Sequence, residues 1–153
     1  MLEDLEQLAI DIAARKSKLI LLVSPLHIGT TALLLAFAKH VGARILNVGS
    51  EVGRRLAVVP EKQRPLQAIA ALRELADEYS KDDLLLIDNI ELLFDPTLQL
   101  NPLDLLKRQA GNRRVIAIWP GELHDGRLTY ADMGHPEHQD YSVDGLVTFQ
   151  TQS

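Results

Sequence analysis

Residues 19–31 read Leu-Ile-Leu-Leu-Val-Ser-Pro-Leu-His-Ile-Gly-Thr-Thr. Five consecutive apolar residues, Leu19–Val23, leave no polar face. Such a run suits a strand covered on both sides, the pattern of a central parallel strand. A helix follows over residues 31–41, ended by Gly42 at the usual C-terminal stop. A chain that begins this way is committed to strands alternating with helices.

The remaining sequence keeps that alternation. Residues 44–48 read as a second strand, and residues 65–79 as a helix opened by Pro65, with Leu66, Ile69, Leu72, Leu75 and Ala76 on one face. Residues 82–88 form a third buried strand ending on Asp88, and Pro102–Gln109 a short helix. Residues 114–119 make a fourth strand, stopped by Pro120 and Gly121, and residues 146–149 a last one. Upstream, Leu2, Leu5, Leu8 and Ile12 place an amphipathic helix over residues 2–15, packed on the core. Residues 49–64, broken by Gly49, Gly53 and Pro60, read mostly as loop with a helical turn at 51–57. Residues 122–142 read as a long loop with a hairpin at 127–130. One α/β domain over residues 1–153 is expected, a three-layer sandwich around a parallel sheet.

Composition excludes several classes. The chain has 153 residues, 46% of them apolar, enough for a full core. A net charge of −5 with mixed signs argues against a broad nucleic-acid footprint. Without cysteine there is no disulfide framework and no thiolate chemistry. Glu3, Asp4 and Glu6 give the N-terminus the wrong charge for a signal peptide. The longest apolar run is far short of the roughly 20 residues of a membrane helix. The expectation is a soluble cytoplasmic domain.

The loop after the first strand nearly matches the phosphate-binding P-loop, which is Gly, four residues, Gly-Lys, then Ser or Thr. Ser24 stands at the first Gly, then come Pro25, Leu26, His27 and Ile28, and Gly29 falls on pattern. Thr30 stands where the phosphate-holding Lys belongs, and Thr31 at the position whose hydroxyl coordinates Mg²⁺. A P-loop works because successive backbone N–H groups wrap phosphates at a helix N-terminus. Loss of the Lys removes charge-assisted contacts of about 1.5–3 kcal/mol each, roughly one to two decades of affinity. Ile28, β-branched, resists the positive φ that Gly tolerates.

Residues 84–88, Leu-Leu-Leu-Ile-Asp, have the form of a Walker B strand whose Asp88 holds Mg²⁺. This strand comes third, where additional-strand P-loop ATPases (the ASCE class, which includes the AAA type) place it. The sheet order expected is therefore 5-1-4-3-2. That class carries Glu directly after the Asp. Here the residue is Asn89, which can orient a water but cannot take its proton, and the nearest acid is Glu91. Glu122, beyond Trp119 at the end of the fourth strand, is a second candidate acid. Arg54, Arg55, Arg113 and Arg114 are candidates for reaching a neighbour's nucleotide or a partner, though solvated ion pairing explains them more simply. His124, His135, Glu137 and His138 lack helical ligand spacing, so a metal centre there has little support. The expected metal is Mg²⁺ on Thr31 and Asp88, arriving with ATP or ADP.

Several segments resemble the BrxF family, the small P-loop proteins of type III BREX (bacteriophage exclusion) phage-defence systems. They are residues 88–96 from Asp88 to Pro96, residues 112–121 from Asn112 to Gly121, Gly126 to Tyr130, Gly134 to Glu137, and the closing stretch from Tyr141 to Phe149. The resemblance spans essentially the whole chain and is most specific from Asp88 to Glu137. It implies a cytoplasmic bacterial defence component with an AAA-type core and no helical lid domain. It also implies other BREX proteins as partners, notably the large BREX ATPase. The reading is an accessory P-loop subunit with a degenerate nucleotide site, acting mainly through protein contacts and capable of forming homo-oligomers. The alternatives are an active ATPase completed by oligomerisation or a partner, and a DNA-binding adaptor using the four arginines. A turnover near background is expected of the isolated chain. The segments 49–64 and 122–142, with Tyr130, are the expected contact surfaces.

Overall fold

The computed structural model describes residues 1–24, 28–130, 139–143 and 145–151, with Ile28 described in its backbone alone. Its centre is a sheet of five strands: β1 (Leu19–Val23), β2 (Ile45–Asn47), β3 (Leu84–Asp88), β4 (Arg114–Ile118) and β8 (Val147–Gln150). The spatial order is β2-β3-β4-β1-β8, and every pairing is parallel. Numbered by sequence within that sheet, this is the 5-1-4-3-2 order expected.

Period-two alternation sends each strand's side chains into two cores. Leu19, Leu21 and Val23 join Leu85, Ile87, Val115 and Ala117 under three helices, α3 (Val48–Leu56), α4 (Arg64–Tyr79) and α5 (Pro102–Gln109). Ile20 and Leu22 join Leu84, Leu86, Ile116 and Ile118 under α1 (Leu2–Asp11) and α2 (Ile28–Val41). The result is three layers, α/β/α. From α1, Leu5 and Ala9 are buried in the second core, with Ile12 just beyond its end, so the N-terminal helix is integral to it.

Three readings of the sequence are corrected. Residues 49–64 are not mostly loop: α3 covers Val48–Leu56, with Val48, Val52 and Leu56 buried one turn apart. Its N-terminus is held both by its own cap residue and from elsewhere in the chain, which is why Gly49 and Gly53 do not dissolve it. The Ser50 N–H donates to the Asn47 carboxamide oxygen (2.9 Å), and the Gly49 N–H donates to the Asn89 carbonyl (2.9 Å). Two of the orphan donors of a helix start are thereby satisfied.

Residues 122–142 are likewise not a long loop. Their described part is an antiparallel meander of β5 (Glu122–His124), β6 (Arg127–Tyr130) and β7 (Gln139–Ser142). The hairpin turn lies at Asp125 and Gly126, both at positive φ, and residues 127–130 are its second strand. Trp119 anchors this meander. Its ring is fully buried between Phe94 and Tyr141, and its indole N–H donates to the Thr129 carbonyl (2.9 Å). Gly121 admits no substitute, because a Cβ there would sit 1.6 Å from the Thr129 carbonyl oxygen. A third, smaller correction is that α2 starts at Ile28, three residues before the expected helix.

Candidate functional site

In a parallel sheet all strands end on the same edge, so side chains just past those ends converge. Here they line an open cleft of about 510 Å³. Thr31 enters from the first turn of α2, Asn47 from the end of β2, and Asp88 from the end of β3. Asn89 and Glu91 follow Asp88, while Ile118, Pro120 and Tyr130 close the other wall. The Tyr130 ring is stacked on Phe94 with centroids 3.8 Å apart, so the residue is a fixed wall of the cleft rather than a free loop contact.

The structure thus brings together Thr31 and Asp88, the two residues expected to hold Mg²⁺. Thr31 is exposed and Asp88 half-buried. An oxygen-only pair at a helix N-terminus, with room for phosphates, is the donor chemistry that Mg²⁺ accepts. Gly29 lies in the first turn of α2 and Ser24 is fully buried at the end of β1. Pro25, Leu26 and His27 lie outside the described residues, as do His135, Glu137 and His138. The residues present therefore fit a nucleotide with its cation, with one exception. Thr30 is fully buried, and a Thr there offers phosphate no positive charge.

Asn89 has a use the sequence did not reveal. Its backbone is left-handed, φ +56°. Its carbonyl holds the Gly49 N–H, and its side-chain amide donates to the Asn47 oxygen (2.9 Å). The Asn47 oxygen also caps Ser50, which fixes which end of the Asn89 amide faces it. The Asn89 N–H in turn donates to the Asp88 carboxylate (2.6 Å). The residue after the Walker B acid is therefore a brace between β3 and α3. Gly49 is pressed against it so closely that a Cβ there would lie 2.5 Å from the Asn89 amide nitrogen. Asn47 was missed as a site residue; the signal was a polar residue ending a buried strand, the same signal that marked Asp88.

Glu91 is exposed and lines the cleft; Glu122 is exposed on β5, outside the lining. The four arginines do not enter the cleft. Arg54 pairs with Glu51 (3.3 Å) and Arg55 with Glu74 (2.6 Å). Arg113 donates to the Ala76 carbonyl, the Ser80 hydroxyl and Asp77, and Arg114 to the Ala9 and Asp82 carbonyls. Arg114 opens β4 and Arg113 immediately precedes it, so they stand at the opposite edge of the sheet. His124 pairs with Asp125 at the exposed hairpin tip, and among the described residues no three metal-ligating acids or histidines gather. No described helix is long and apolar enough to cross a membrane.

A parallel 5-1-4-3-2 sheet in an α/β/α sandwich, a helix after its first strand, and an acid ending its third define a P-loop NTPase-like fold. No protein-family model matches the chain, and no curated protein matches it. Among solved structures the chain is similar to AMPPCP-bound DnaA from Aquifex aeolicus, at 17% identity and a TM-score of 0.42. That similarity covers 76% of this chain and 36% of the other, so the chain spans about a third of that protein's structure.

Proposed function

We propose that this protein is an accessory P-loop subunit of a bacterial BREX phage-defence system, of the BrxF type, whose altered site holds nucleotide weakly and whose work is done through protein contacts. The observation that carries the nucleotide part is the convergence of Thr31 and Asp88 in one cleft beside a buried Thr30 and a braced Asn89. Bound ATP or ADP would bring Mg²⁺ to the Thr31 hydroxyl and the Asp88 carboxylate, neutralising phosphate charge. Neither Thr30 nor Asn89 supplies what hydrolysis needs: one gives no cation to the transferring phosphoryl group, the other no base. Both deficits act mainly in the transition state, so turnover suffers more than binding.

The large BREX ATPase is the partner this reading names, and support for it rests on the sequence resemblance. Calorimetric titration with ATP and ADP, with and without Mg²⁺, tests the site. Weak Mg²⁺-dependent heat is expected, lost in Asp88→Asn and raised about tenfold or more in Thr30→Lys. Absence of heat in wild type and in Thr30→Lys sinks the nucleotide reading. Co-purification with the other system proteins tests the partner, and recovery of none of them removes it.

A second reading, an ATPase completed by a partner, is favoured by one observation: Glu91 opens into the cleft that holds Asp88. Turnover near about 1 per second, abolished in Glu91→Gln, would establish it.

A further inference from the structure

Asn47 closes β2 beside Asp88, its register partner on β3, and lines the cleft. Its carboxamide oxygen accepts two hydrogen bonds, from the Ser50 N–H (2.9 Å) and from the Asn89 side-chain amide (2.9 Å). A carboxamide oxygen has two lone pairs, so that arm of the group is filled. The other arm, the Asn47 amide nitrogen, has no acceptor among the described residues. The group is planar and its oxygen is pinned from both α3 and the end of β3, so the nitrogen is held in a fixed direction. It is a donor that the fold itself does not use.

Among the described residues, the lining of the cleft carries no cation, and Asp88 and Glu91 are both acidic. A phosphate chain there needs a metal ion brought with it, and neutral donors for the oxygens that the ion leaves. Thr31 is one such donor, in the first turn of α2, where phosphates would enter. The Asn89 amide is another, but it already donates to Asn47. In the order β2-β3-β4-β1, Asn47 lies on the strand farthest from β1 and the helix that follows it. A nucleotide anchored at α2 therefore meets Asn47 only with the outermost end of its phosphate chain.

We infer that the Asn47 amide nitrogen donates to the terminal phosphate of a bound nucleoside triphosphate, so that the cleft takes a triphosphate in preference to the corresponding diphosphate. The inference rests on the nucleotide reading above, and adds to it the class of ligand and the residue that selects it. A donor already held in place gives up little freedom when the ligand arrives. Its hydrogen bond to a charged oxygen is worth about tenfold or more in affinity. A diphosphate lacks the terminal group and does not collect that bond.

Calorimetric titration with ADP and with the β,γ-methylene analogue of ATP, each with Mg²⁺, tests it in wild type, Asn47→Asp and Asn47→Ser. Asp keeps an oxygen for Ser50 and Asn89 and replaces the donor by a second anionic oxygen. Ser keeps a cap of similar quality and adds no charge. Wild type is expected to bind the triphosphate about tenfold or more tighter than ADP. Both variants are expected to lose most of that preference, with urea midpoints close to wild type. The Asn47 side-chain amide protons of isotope-labelled wild type are expected to shift downfield with the triphosphate and not with ADP, a readout that needs no variant. Three results overturn the inference and leave the nucleotide reading to its own test: a wild type without the preference, a preference retained in Asn47→Ser, or Asn47 amide protons indifferent to the triphosphate. If neither wild type nor Thr30→Lys binds either ligand, the nucleotide reading falls and the inference falls with it.

Discussion

The two edges of the central sheet are built by opposite rules. At the edge where the strands begin, the two arginines at the start of β4 are spoken for: Arg113 makes three hydrogen bonds and Arg114 reaches two backbone carbonyls, tying β4 to α4 and to the end of α1. At the edge where the strands end, oxygen-bearing side chains stand around an open cleft. Their backbone is positioned by a network, Asn47–Asn89–Gly49, that leaves Asp88 facing outward. The first edge serves folding. The second spends polar groups on a space and relies on Trp119 and the meander to wall it. Location therefore decides what a charged side chain does: Arg113 and Arg114, where β4 begins, are staples, and Asp88, where β3 ends, lines open space.

The largest expected effect comes from removing that wall. Trp119→Ala deletes a fully buried ring and leaves the Thr129 carbonyl without its donor. A loss of about 3–5 kcal/mol is expected by chemical denaturation. A loss under about 1 kcal/mol would mean that the meander is not held by this ring. At the opposite edge, Arg113→Ala removes three hydrogen bonds made by a mostly buried guanidinium and should cost about 1.5–3 kcal/mol. It should leave nucleotide titration unchanged; a change in binding breaks the separation of the two edges.

Asn89 sharpens the comparison from within the cleft. Asn89→Ala loses the bond to Asn47 and puts a Cβ at positive φ, whereas Asn89→Gly loses only the bond. Ala is expected to be the more destabilising by about 1 kcal/mol, measured by parallel urea melts. Equal costs would show that the left-handed backbone is not retained.

The pH prediction concerns Tyr141, whose hydroxyl is pushed up to about 12 by burial beside Trp119. The folded state then holds a proton that the unfolded chain releases near 10.0. Stability is full below that value and falls as pH rises from about 10 to about 12. Absorbance titration of wild type against Tyr141→Phe checks it, and a phenol titrating near 10 in the folded protein contradicts it. The smallest effect is expected for Arg55→Ala, an exposed pair with Glu74, at about 0.2–1 kcal/mol.

Sequence alone determined the central sheet. Leu19–Val23 and residues 84–87 are apolar on both faces, the mark of inner strands. The order 5-1-4-3-2 is expected because the strand ending on Asp88 comes third; the observed sheet has that order and brings Thr31 and Asp88 to one cleft. Local sequence also carried a signal for α3, Val48, Val52 and Leu56 at helical spacing, but Gly49 and Gly53 masked it. Each mid-helix glycine costs about 1 kcal/mol against alanine. What restores the helix is the Asn47 cap on Ser50, itself held by the Asn89 amide, and the Asn89 carbonyl on Gly49, some forty residues away in the chain. The meander strands are three or four residues long, too short for period-two alternation to declare itself, and they exist because Trp119 reaches Thr129. Tertiary structure alone decided that Asn89 is a brace, that Thr30 is buried, and that Arg113 and Arg114 turn away from the cleft. The physical reason is common to all three: a side chain's hydrogen-bond partners are chosen by what the fold brings within about 3 Å, and periodicity in one strand or helix carries no record of the neighbour that supplies them.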